Sequence, residues 1–115
     1  MRTITNVMQE KPSVLLRRAA TTETPAFGKY GIQEGGAVCS LTYLGLRAGL
    51  DCRGEYETLA QIEAITQMYG LPTFIGVNEY SCGSYIIEHH DGNSERTEFH
   101  GGFLQAAAAL EAIGY

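Results

Sequence analysis

At 115 residues, with 44% hydrophobic and 18% charged content, the chain is long enough to bury one core and too short for two. It has no run of about 18 apolar residues, which excludes a membrane-spanning helix. The formal charge of −5 is unexceptional in itself, but the acids concentrate in residues 51–115, and that half is not expected to bind nucleic acid, whose affinity for proteins comes largely from Lys and Arg at the phosphates.

Residues 1–20 lack the continuous apolar centre of a signal peptide. The cysteines, Cys39, Cys52 and Cys82, make neither a disulfide framework nor a zinc-ligand pattern. Reduced thiols and a cytoplasmic address are therefore expected, with no cofactor and no bound metal.

In chain order, residues 2–8 offer a weak strand pattern that Ile4 and Val7 do not keep in strict alternation. Residues 12–20 read as a short helix, with Pro12 in its first turn and Leu15, Leu16 and Ala19 on its apolar side. A polar linker at 21–25 and a glycine-rich loop at 28–36 follow. The spacing of Leu41, Leu44 and Ala48 predicts a helix over 37–48, closed by Gly49 as a left-handed cap and Leu50 as its apolar cover. A further helix over 58–69 is predicted from Thr58 and Gln61 as a capping box, with Tyr56, Leu59, Ile62, Ile65 and Tyr69 on one face.

Three runs rich in aromatic and β-branched residues come next, at 73–80, 84–90 and 95–100, broken by Ser81-Cys82-Gly83 and Asp91-Gly92-Asn93. They predict three antiparallel strands. With three-residue turns, Ile75, Val77, Tyr85, Ile87 and Phe99 share a buried face, and Glu88 lies opposite Arg96 on the other. A closing helix over 103–113, with Phe103, Ala106, Ala107, Leu110 and Ile113 at helical spacing, would lie on the buried face. The expected fold is a single α+β domain with a three-stranded antiparallel sheet, covered by the closing helix and the helix before the strands. The N-terminal part adds a helical and irregular segment.

Charge divides the chain. Residues 1–50 carry six basic groups against three acidic, or +3, and residues 51–115 carry two basic against ten acidic, or −8. The order helix, three strands, helix resembles that of double-stranded-RNA-binding domains. Those domains hold phosphates with lysines at the start of the last helix, where this chain has Gly101-Gly102-Phe103-Leu104-Gln105, so direct nucleic-acid binding is not expected. An acidic surface suits instead a basic protein surface, including one that otherwise holds DNA or RNA.

Among candidates for chemistry, Cys39 follows the glycine-rich loop near the start of a predicted helix, where the helix dipole favours a thiolate. Gln33 precedes it by six residues, and His89 and His90 come later. This arrangement resembles papain-like cysteine enzymes, and the resemblance implies Cys39 as nucleophile, Gln33 at the oxyanion and His89 or His90 as base. Ser40 stands where those enzymes usually carry Trp. The competing reading is a small buried cysteine packed beside Val38 and Leu41.

A metal site among Glu88, His89, His90, Asp91, Glu98 and His100 fails on geometry, because adjacent strand residues face opposite ways and His90 and His100 would lie about 20 Å apart. Gly28-Lys29-Tyr30-Gly31 lacks the spacing of a phosphate loop. The sheet face away from the helix would present Phe74, Ile86, Glu88, Arg96 and Glu98, an apolar centre ringed by charge that suits a protein contact or a homodimer.

The expected function is a small acidic, non-enzymatic protein-binding module. Such domains recur among phage and mobile-element inhibitors of host nucleic-acid enzymes, including anti-CRISPR proteins. The alternative is a compact thiol enzyme using Cys39, a hydrolase or transferase.

Overall fold

The computed structural model describes residues 10–75, 80–92 and 102–115. Its elements are helices α1 (Pro12–Thr22), α2 (Ser40–Arg47), α3 (Glu55–Ala60), α4 (Ile62–Met68), α5 (Cys82–Asp91) and α6 (Phe103–Ala112), with strands β1 (Phe74–Ile75) and β2 (Tyr80–Ser81). The two strands pair antiparallel, Phe74 with Ser81 and Ile75 with Tyr80. This is an all-α architecture carrying one minimal pairing, and the expected α+β fold with a three-stranded sheet is overturned.

The correction turns on α5. Residues 84–90, predicted as the middle strand, lie inside this helix. The supposed turn at 81–83 is its N-terminus, where the Ser81 hydroxyl accepts from Ser84 N at 3.0 Å, a side-chain cap that satisfies a donor left free by the helix. Cys82, Ile86 and His90, four residues apart, are all fully buried, a helical stripe. Tyr85 and His89, also four apart, meet edge to face at 4.6 Å. Propensity favours strand at Tyr85-Ile86-Ile87, and packing of the stripe overrides it. The third predicted strand, at 95–100, lies outside the described residues, as do Val77 and residues 2–8.

Other elements keep to their patterns. In α1 Leu15, Leu16 and Ala19 are fully buried, and the helix runs two residues past its predicted end at Ala20, to Thr22. Gly49 takes φ 82°, and Leu50 N donates to Gly45 O at 2.9 Å, the left-handed cap expected after α2. α6 buries Phe103, Ala106, Ala107 and Leu110. It rests on α1 and α5 where a sheet was expected. Arg17 of α1 holds Glu111 of α6 with two hydrogen bonds, and Tyr85 of α5 donates to Ala109 O at 3.0 Å.

The predicted helix over 58–69 is broken. Thr58 is not a cap: its hydroxyl is turned back on Cys52 O at 3.0 Å and Gly54 O at 2.9 Å, and α3 starts three residues earlier at Glu55. Gln61 separates α3 from α4 with φ −101° and ψ 4°. The break rotates the first half of the predicted apolar face outward. Ile65 is fully buried, whereas Tyr56 is 84% exposed and Leu59 40%.

At the centre lies α2, which packs against α1, α3, α4 and α5. Residues 40–45 are buried without interruption, so this helix has no solvent face over its first six residues, as a helix enclosed by others must. Gly45 makes the enclosure tight: a Cβ there would overlap Cys52 Sγ and lie 3.0 Å from Ile65 Cδ1. Gly45→Ala is accordingly expected to destabilise the fold by about 1–3 kcal/mol despite the better helix propensity of alanine. Urea unfolding checks this; an unchanged or raised midpoint would show that the contact relaxes freely.

Candidate functional site

Of the residues singled out for chemistry, Cys39 and His90 lie at the N-terminus of α2. The segment before it runs extended beside residues 24–26, with Ala26 N donating to Val38 O at 2.9 Å and Val38 N to Thr24 O at 3.0 Å. This ladder seats Cys39 as the N-cap of α2 and brings the Ala26 carbonyl over the helix start.

Cys39 turns inward. Its Sγ accepts from Thr42 N at 3.4 Å and donates to Thr42 Oγ1 at 3.3 Å, and the residue is 2% exposed. Burial raises its pKa above the ordinary thiol value, against the opposing pull of the hydrogen bonds from Thr42 and the Leu41 amide. The helix N-terminus is present, but desolvation outweighs it.

His90 meets Ser40, the residue after the cysteine. Its Nδ1 lies 2.7 Å from Ser40 Oγ and its Nε2 2.8 Å from Ala26 O. A carbonyl only accepts, so Nε2 carries the proton and Nδ1 accepts from the Ser40 hydroxyl. The imidazole stacks on Phe27 at 5.1 Å and meets the edge of Phe103 at 5.2 Å. Burial lowers its pKa below the ordinary histidine value, opposed by the Ala26 hydrogen bond and the nearby Asp91 carboxylate. The backbone around it is also fixed: Gly102 N donates to His90 O at 2.5 Å, and Gly28 N to Asp91 Oδ1 at 3.0 Å.

A serine hydroxyl bonded to an oriented neutral histidine has the outline of a nucleophile and base. Here Ser40 and His90 have no exposed surface. Among the described residues no buried side-chain polar atom lacks a partner. As placed, Ser40, His90 and the Ala26 carbonyl, with Phe103 against the imidazole, pin the 24–28 segment, α2, α5 and the start of α6 together. No residue pattern signalled the role of Ser40, fifty positions from its partner.

The other named residues stand apart. Gln33 spends its amide protons within its own loop, on Tyr30 O at 2.8 Å and Gly31 O at 3.4 Å. His89 is half-buried against Tyr85. Among the described residues no three of His, Cys, Asp and Glu come together as a metal would need; His100 and Glu98 lie outside them.

The predicted contact face is not formed. Ile86 is fully buried in α5, Glu88 is exposed on the same helix, Phe74 sits in the two-residue β1, and Arg96 and Glu98 lie outside the described residues. With the sheet goes the sheet face proposed for a homodimer. Sequence reasoning put Tyr56 and Leu59 on the apolar face of a helix, whereas in α3 they stand out between exposed Glu55, Glu57 and Glu63. Among the described residues no helix is long and apolar enough to cross a membrane.

Comparison with protein-family models, with curated proteins and with solved structures finds no match.

Proposed function

We propose that the chain is a small acidic protein-binding module without chemistry of its own, docking through α3 on a basic surface of a larger cytoplasmic partner. The observation that carries this reading is Tyr56, 84% exposed in a segment with no apolar cover and flanked by acids. Glu55 and Glu57 have a local reason to be there, since acids stabilise the first turn of a helix. The exposed tyrosine has none, and tyrosine is among the side chains that anchor protein contacts. Acids around an aromatic centre complement a Lys- and Arg-rich surface, and the pairing speeds encounter as well as selecting the partner. A surface that normally holds DNA or RNA meets that description. Blocking it is how inhibitors of nucleic-acid-handling proteins act, and the three unpaired cysteines suit a reducing compartment.

The test is retention of host proteins on the immobilised chain at low salt, with wild type beside Tyr56→Ala and Glu55→Gln/Glu57→Gln. Expected is a retained basic protein that duplex DNA or RNA displaces, with affinity lowered at least about tenfold by Tyr56→Ala. Retention that is equal in all three forms, or that nucleic acid leaves untouched, would refute docking through α3 on such a surface.

A further inference from the structure

One side of α2 borders a pocket of about 380 Å³, within the range of small-molecule sites. Tyr43, Leu46 and Arg47 line it from α2, at spacings that share one side of a helix. Glu23, just past the end of α1, and Ile32 and Val38, from the loop before α2, close it.

Three features point to an occupant. Ile32 is 45% exposed at the pocket, a large aliphatic side chain with nothing over it. Tyr43 is 8% exposed, yet its hydroxyl makes no hydrogen bond among the described residues. Because no buried side-chain oxygen there lacks a partner, that hydroxyl opens on accessible space. The charges at the rim are opposite and do not pair with each other. Glu23 accepts from the Thr22 hydroxyl at 3.2 Å, and Arg47 makes no ion pair among the described residues, reaching Glu10 only through its field.

We propose that this pocket binds a small zwitterion with an apolar body, namely a free α-amino acid of the leucine or phenylalanine class. Its carboxylate goes to Arg47, its ammonium to Glu23, and its side chain among Ile32, Val38 and Leu46, with the Tyr43 hydroxyl as a further polar contact. A simple carboxylic acid would leave Glu23 beside a like charge, and a simple amine would do the same for Arg47. Only a ligand bearing both charges next to an apolar group answers the whole lining.

Isotope-edited NMR of the full chain tests this with L-leucine and L-phenylalanine, and with 4-methylpentanoate and 3-methylbutylamine, which each lack one of leucine's charged groups. Saturable shifts of amides around Ile32, Val38 and Leu46 are expected with the amino acids, and about tenfold or more weaker binding with each analogue. Arg47→Met and Glu23→Gln, both on exposed residues, should weaken leucine binding to a similar degree with the rest of the spectrum unchanged. Ile32→Trp should fill the pocket and abolish binding. No saturable shift up to about 10 mM amino acid, equal binding of the analogues, or wild-type affinity in Arg47→Met would overturn the proposal. None of these outcomes bears on α3, so the two sites are tested separately.

Discussion

Replacing His90 with alanine is expected to cost the folded state about 3–5 kcal/mol, combining the loss of a fully buried ring with two polar groups left unpaired. The ring fills the space between Phe27 and Phe103, and its removal strands the Ser40 hydroxyl and the Ala26 carbonyl in the interior. Small domains are stable by about 5–15 kcal/mol, so this single change would take a large share. Ser40→Ala, which leaves only Nδ1 without its donor, should cost less, about 1–3 kcal/mol. The same site sets a pH dependence. Because the folded-state pKa of His90 is lowered from 6.5, the unfolded chain takes up a proton that the folded chain refuses. Stability from this group is therefore full above about pH 6.5 and is lost as pH falls below it, at up to about 1.4 kcal/mol per pH unit. Glu10 and Glu111, held below the usual carboxylate value by Arg18 and Arg17, lose their pairing at lower pH and leave this window clear. Urea midpoints at pH 7.5, 6.5 and 5.5 measure the effect, with His90→Gln as the form lacking the titrating group. Parallel midpoints in the two proteins would show that His90 takes up its proton without penalty.

The helices with an uninterrupted apolar stripe were legible from spacing alone: Leu15, Leu16 and Ala19 place α1, Leu41 and Leu44 place α2, and Phe103 to Leu110 place α6. What spacing could not supply was rank. The charged and aromatic C-terminal stretch looked like the centre of the fold, but the centre is α2, because Ser40, Thr42 and Gly45 are small or polar residues that disappear under four neighbouring helices. α5 was misread for a related reason. Tyr85, Ile86 and Ile87 have strand propensity, and the residues that make the stretch helical, Cys82 and His90, are those whose burial is hardest to guess. At the candidate site both Cys39 and His90 were visible. Their relation was not, since successive helical residues are rotated by about 100°. Cys39 at the cap turns its sulfur to Thr42, and the next residue, Ser40, is the one that meets His90. Neither the exposure of Tyr56 nor the pocket beside Arg47 was visible, because a kink at Gln61 and the placement of a glycine-rich loop decide them.

Alkylation of Cys39 in the folded protein should be slower than in the urea-unfolded chain by about 100-fold or more, since reaction must wait for the site to open. Cys52 and Cys82 are fully buried as well, so the three thiols should be protected together, and peptide mapping by mass spectrometry assigns each rate in the unaltered protein. The pH profile sharpens the point. Burial raises the Cys39 pKa above the ordinary thiol value, so whatever reaction occurs should keep climbing with alkaline pH and show no plateau near neutrality. A papain-like centre requires the reverse: an exposed thiol ionised near neutral pH by an adjacent imidazolium. His90 is poorly suited to supply that charge, being neutral, bonded at both nitrogens and engaged with Ser40. Fast alkylation of Cys39 with a midpoint below about 7.5 would mean that the 24–28 segment and Phe27 lift away readily enough to expose the α2 N-terminus, and the thiol-enzyme reading would then displace docking through α3. Protection to the limit of global unfolding would leave Cys39 a packing residue beside the clasp of Ser40, His90 and the Ala26 carbonyl that holds the loop, α2 and α5 together, with recognition confined to surfaces the clasp does not touch.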